Sequence, residues 1–187
     1  MEEKKKEYII KEIKEIVITT IICFVFVFIL VNYFYKPIRV VGSSMYPTLD
    51  EGYIGFTSII GRNYGELNRF DIVVVNAKDG SNDLWVKRII GLPNEKIKCV
   101  DGIIYINDKK IDEKFLDEDY VKSQKRLYGQ FTEDFEEVKI PKDCYFIMGD
   151  NRHHSYDSRE VGLFRKDDII GKDTLVLYPF NKISYLD

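Results

Sequence analysis

The chain has 187 residues, 45% of them hydrophobic and 32% charged, with a net charge of −3. That composition excludes a disordered or low-complexity protein. The lack of a basic excess argues against a nucleic-acid binder, and three cysteines are too few for a disulfide-built scaffold.

The averages conceal a sharp division. Residues 1–15 carry five Lys and five Glu. Residues 16–35 carry no charge, and fourteen of the twenty are Ile, Val, Leu or Phe. Twenty helical residues reach about 30 Å, the thickness of a hydrocarbon core. The run is rich in β-branched and aromatic residues, but in lipid every backbone group must be satisfied internally, so a helix is expected. Asn32, Tyr33 and Tyr35 then fall at the far interface. A cleaved signal peptide is the competing reading, and the length of the run and its exit into Lys36-Pro37 speak against it. The lysines of the first fifteen residues place that tail on the cytoplasmic side and residues 36–187 outside. The expected organisation is a cytoplasmic tail (1–15), a transmembrane helix (16–35) and an extracytoplasmic domain (36–187).

Within the outer domain, short apolar runs alternate with turn residues. Residues 39–41, 53–60, 72–76, 84–90, 96–100, 103–106, 145–148 and 174–178 read as strands. Asp101-Gly102 marks a type I′ hairpin, and Asn107-Asp108 closes the next strand in similar fashion. A peripheral insertion is expected at about 101–145, with its charged, weakly periodic part at 112–137 and room there for a short helix. The strands are too closely spaced for βαβ units, so the class is mainly β.

Three segments carry candidate chemistry. Gly42-Ser43-Ser44-Met45-Tyr46-Pro47-Thr48-Leu49 offers a serine nucleophile, which needs a base and oxyanion donors; alone it is equally a plain turn. In Leu84–Gly91, alternation places Trp85, Lys87 and Ile89 on one face and Val86, Arg88 and Ile90 on the other. Arg stays protonated, so only Lys87 could serve as a base, after desolvation; a solvated edge-strand lysine is the plainer alternative. Met148 to Gly162 is dense in polar residues. Its His153 and His154 admit a Ser-His-Asp triad, but two adjacent histidines without a third ligand give little support to a metal site.

Taken together the segments resemble the bacterial type I signal peptidases, membrane-bound Ser-Lys enzymes. The resemblance rests on Ser44-Met45-Tyr46-Pro47-Thr48-Leu49, Arg69-Phe70-Asp71-Ile72-Val73-Val74, Lys87-Arg88-Ile89-Ile90-Gly91-Leu92-Pro93, and Gly149-Asp150-Asn151-Arg152 followed by Ser155, Asp157-Ser158-Arg159 and Gly162. It implies Ser44 as nucleophile and Lys87 as general base. It implies that Ser155 hydrogen-bonds the lysine and that Asp157 and Arg159 brace the site. Ile38, Val40, Val41 and Met45, with Trp85 and Val86 opposite, would form shallow pockets for small substrate side chains. The implied fold is a largely antiparallel β domain at the membrane surface. The implied partners are exported preproteins, the lipid bilayer and the protein-export machinery, with no cofactor and no metal.

Three positions depart from the family pattern: Phe70 replaces a glycine, Asn94-Glu95 replaces Gly-Asp, and Gly42 stands where some relatives carry a serine whose hydroxyl assists the oxyanion hole. On sequence grounds Gly42→Ser should be tolerated. Two other functions compete. A self-cleaving repressor-type Ser-Lys peptidase needs an Ala-Gly or Cys-Gly bond, which this chain lacks. A catalytically inactive, membrane-tethered β module that binds partners is the other.

Overall fold

The computed structural model describes residues 2–60 and 65–186. Helix α1 (Glu2–Phe34) is continuous through the charged tail and the apolar run. Its Lys5–Phe34 stretch is long and apolar enough to cross a membrane. The polar side chains inside the run turn back on their own helix: Thr20 Oγ1 donates to the Ile16 carbonyl at 2.8 Å and Asn32 Nδ2 to that of Phe28 at 2.7 Å. Such bonds suit a helix with no water at its surface.

The helix passes directly into β1 (Tyr35–Arg39), four residues earlier than the sequence predicts. Pro37 is tolerated because β1 is an edge strand. The larger sheet comprises β1, β2 (Ile54–Ser58), β3 (Ile72–Asn76), β4 (Leu84–Gly91), β9 (Cys144–Met148), β10 (Phe164–Arg165), β11 (Ile169–Tyr178) and β12 (Ser184–Leu186). Its order is β1-β2-β11-β3-β4-β9-β10, with β12 paired to β11, and every pairing is antiparallel. Central β3 (Ile-Val-Val-Val-Asn) exposes 1% or less of each of its four apolar residues. Such a run is what a strand covered on both faces requires.

A second antiparallel sheet, β7-β6-β5-β8, is made of β5 (Lys96–Val100), β6 (Ile103–Ile106), β7 (Lys109–Lys110) and β8 (Phe135–Lys139), and it begins before the insertion expected at about 101–145. The Asp101-Gly102 turn has φ of +53° and +70°, and Asn107-Asp108 has +49° and +62°, both centrally positive as a type I′ turn demands. Helix α2 (Glu118–Tyr128) lies within the charged stretch. Asp117 caps it by accepting from the Tyr120 N–H at 2.7 Å, and Gly129, at φ +84°, closes it. A short helix, α3 (Ser158–Val161), follows the polar loop after β9. The sequence reading did not find β7, β8, β10 or β12. Apolar clusters pack against the larger sheet, and a third, around Ile97, Ile104 and Phe146, joins the two sheets.

Candidate active site

Strand β4 sits between β3 and β9, so Lys87 occupies a central strand rather than an edge. It is 3% exposed, and its ammonium nitrogen lies 5.6 Å from the Trp85 ring centre. Burial pushes its pKa down to about 8, against a partial counterweight from the Asp157 carboxylate. Facing it is the loop between β1 and β2. Met45 and Leu49, each 1% exposed, anchor that loop in the core beside Val40, Ile72 and Val176. The loop turns through Tyr46 N–H to Ser43 carbonyl and Leu49 N–H to Met45 carbonyl bonds of 3.0 and 2.9 Å. Ser44, half-buried at its tip, places Oγ 2.7 Å from Lys87 Nζ.

The Met148–Gly162 segment closes the site from the other side. Asn151 donates its backbone N–H to the Ser44 carbonyl and its side-chain Nδ2 to the Ser43 carbonyl, both at 3.0 Å. Gly149 is the point of closest approach: a Cβ there would lie 2.3 Å from both Ser155 Oγ and the Ser44 carbonyl oxygen. Asp157 gathers the Gly149 N–H at 2.9 Å, the Ser155 hydroxyl at 2.7 Å and two Arg159 nitrogens at 2.9 and 2.8 Å. Burial opposes the Asp157 charge, but Arg159 and these donors outweigh it and hold the carboxyl below its usual range. The same carboxylate forms a capping box at the start of α3.

Two further ion pairs, one buried and one partly buried, tie the motif segments together. Arg88 donates through Nε and Nη2 to Asp150 at 2.9 and 2.8 Å, and Thr48, from the serine loop, donates to the same carboxylate at 2.6 Å. Arg69 binds Glu95 and the Ile90 carbonyl, so the Glu that departs from the family pattern has a cation as partner. Asn94 takes the left-handed conformation that a glycine would, at φ +65°. Phe70 also adopts it, at φ +78°, with its ring against Phe115.

A groove of about 360 Å³ runs between β1 and the start of β4, with Pro37, Ile38 and Val41 on one wall and Leu84, Trp85 and Val86 on the other. Four of the six expected pocket residues line it. Val40 and Met45 do not: they are 7% and 1% exposed in the cluster behind Val86, because the loop uses them as core anchors. Ser155 also departs from expectation. Its hydroxyl goes to Asp157 rather than to Lys87, since an ionised carboxylate is the stronger acceptor. His153 stacks on Tyr128 at 4.0 Å and bonds the Gln130 carbonyl, and His154 lies 3.3 Å from the Tyr128 hydroxyl. Both therefore partner α2 and its C-terminal turn, away from Ser44. Gly42, at φ +81°, has open space around it but a backbone that disfavours a side chain, so the expected ease of Gly42→Ser is corrected. Among the described residues no three His, Cys, Asp or Glu side chains converge. Cys99 and Cys144 are free thiols, and burial pushes Cys99 up to about 12.

Roles for Gly149, Asn151 and Thr48 were not read from the sequence, although all three lie inside the quoted motifs. Their contacts cross about a hundred residues of chain, and no local pattern encodes that.

A β domain that presents a half-buried serine hydroxyl to a desolvated lysine has the equipment of a Ser-Lys peptidase. The family model described as signal peptidase, peptidase S26, matches residues 13–178. The chain is 39% identical over 180 residues to signal peptidase I S of Bacillus subtilis, covering 96% of this chain and 94% of that protein. To signal peptidase I U of the same species it is 42% identical over 175 residues, 92% of each. A crystal structure of a signal peptidase I from Enterococcus faecalis aligns with 57% of this chain and 96% of its own, at 31% identity and a TM-score of 0.49. The chain belongs to the signal peptidase family, peptidase S26. It is a membrane-anchored serine peptidase with a β-rich, antiparallel catalytic domain.

Proposed function

We propose that this protein removes N-terminal signal peptides from exported preproteins by Ser-Lys chemistry, cutting after a small residue. The observation that carries the reading is the 2.7 Å contact between Ser44 Oγ and a Lys87 amine whose pKa has fallen to about 8. A neutral Lys87 accepts the Ser44 proton as Oγ attacks the scissile carbonyl. The Ser44 N–H faces the developing oxyanion. The resulting ammonium then returns its proton to the leaving amine, and a water activated by the regenerated amine releases the acyl group.

Asp157 and Arg159 fix Gly149 and Ser155 around the dyad, and their opposite charges pull the Lys87 pKa in opposite directions. The walls of the groove, Ile38, Val41, Trp85 and Val86, would receive the residues preceding the cut. Their apolar, shallow surface suits small side chains. With its lysine-bearing tail cytoplasmic, the chain holds this domain on the outer face of the membrane, where translocated preproteins emerge beside the export machinery. Tethering there raises effective substrate concentration without any new contact. An inactive binding module has no use for a lysine desolvated against a serine, so the same contact disfavours it.

Full-length protein in detergent micelles, incubated with a preprotein and analysed by mass, tests the proposal. One cut after a small residue is expected, lost in Ser44→Ala and in Lys87→Arg, whose guanidinium keeps its proton. Undiminished cleavage in either variant refutes the dyad.

A further inference from the structure

The charged stretch expected to be peripheral reaches all three catalytic segments within eight residues. Glu113 grips the Arg152 guanidinium through two nitrogens, at 2.5 and 3.3 Å. The Phe115 ring centre lies 4.1 Å from the Arg88 guanidinium carbon. Tyr120 meets Tyr46, two residues beyond Ser44, edge to face at 5.1 Å. None of the three touches Ser44 or Lys87.

The connection through Arg152 is the most direct. Its side chain is wholly enclosed. Its Nε donates to the Gly149 carbonyl at 3.0 Å and its Nη1 to Thr132 Oγ1 at 2.9 Å. The neighbouring Asn151 holds the Ser43 and Ser44 carbonyls. A guanidinium cannot shed its charge, and a carboxylate fork fixes its plane as a neutral amide does not. Without Glu113 the enclosed cation has no counter-charge. It must turn toward water, drawing Gly149 and Asn151 away from the serine loop.

We infer that Glu113 is a positioning residue for the nucleophile, acting through Arg152, and that Phe115 and Tyr120 complete a clasp by which the insertion holds the three catalytic segments in register. This rests on the reading of Ser44 as nucleophile.

The test is single-turnover cleavage of a chromogenic signal-peptide substrate by excess full-length protein in detergent micelles. At saturating protein the limiting rate reports geometry. A preparation that is merely part-unfolded still reaches the wild-type limit, at a higher apparent protein concentration. Glu113→Gln is expected to lower the limiting rate by about tenfold or more, as displacement of a reacting group by a fraction of an ångström does, and Glu113→Asp to recover part of it. A wild-type limiting rate in Glu113→Gln, with or without a shifted saturation point, overturns the proposal. Should Glu113→Gln fail to fold, Tyr120→Leu decides: a reduced limiting rate supports the clasp and an unchanged one removes it. Absence of cleavage by the wild-type protein would instead refute the Ser-Lys reading itself.

Discussion

Replacing Lys87 with methionine should abolish cleavage and make the protein more stable at neutral pH. Lys87 is 3% exposed, and burial lowers its pKa from 10.5 to about 8. That displacement, at about 1.36 kcal/mol per pH unit, corresponds to about 3 kcal/mol of disfavoured charge. Below pH 8 the amine is protonated in both the folded and unfolded chain, so the fold carries the whole cost. Between about 8 and 10.5 the unfolded chain holds a proton that the folded chain has released, and stability rises with pH. Above 10.5 neither form is charged. A methionine of similar length never bears the cost. Lys87→Met should therefore exceed wild type by about 3 kcal/mol near pH 7, plus a fixed packing offset, and the excess should vanish toward pH 10.5. Urea unfolding of both full-length proteins in micelles, followed by Trp85, the only tryptophan, measures the difference; groups common to both cancel. The wild-type kcat/KM should rise through the same region near pH 8, as free base accumulates. Stability curves that stay parallel across this range would show that the lysine is not desolvated, and the base assignment would lose its physical ground.

Gly149→Ala should lower peptide cleavage by about a hundredfold, because the added methyl would lie 2.3 Å from both Ser155 Oγ and the Ser44 carbonyl; steady-state rates on one peptide check it. Gly42→Ser should cost about 1–2 kcal/mol in urea unfolding, since its φ of +81° is unfavourable for any residue with a Cβ. Asp150→Asn leaves the buried Arg88 without its counter-charge and should cost about 3–5 kcal/mol in the same assay. A value near zero would mean that Arg88 finds another partner.

Short apolar runs bounded by turn residues were the most legible signal in the sequence. β3, β5 and β6 match their expected limits because each is bounded by a turn whose chemistry is local, such as Asp101-Gly102. β8 (Phe-Glu-Glu-Val-Lys) was hidden because its apolar positions, Phe135 and Val138, are outnumbered by charge; it becomes a strand only by pairing with β5. The dyad was legible as residue types in motifs, but the burial of Lys87 was not. A lysine flanked by apolar residues reads equally as a solvated edge, and only the placement of β4 between β3 and β9 decides the matter. The pairs Arg88–Asp150 and Arg152–Glu113 span 62 and 39 residues, a separation at which one sequence holds no trace of who meets whom. For the same reason the insertion looked peripheral, although its residues 113–120 touch each motif segment.

The junction of α1 and β1 contains no linker: the helix ends at Phe34 and the strand begins at Tyr35. Ser44 follows Phe34 by ten residues, so the proposed nucleophile can stand at most about 35 Å of chain from the end of the span, and less because residues 42–49 turn back. The protein thus carries a built-in ruler. On the proposed function, a preprotein held by its own apolar segment in the same bilayer is cut only where its scissile bond comes within that height. A bond that a rigid, folded segment holds above that height lies beyond the ruler's mark, whatever its side chains.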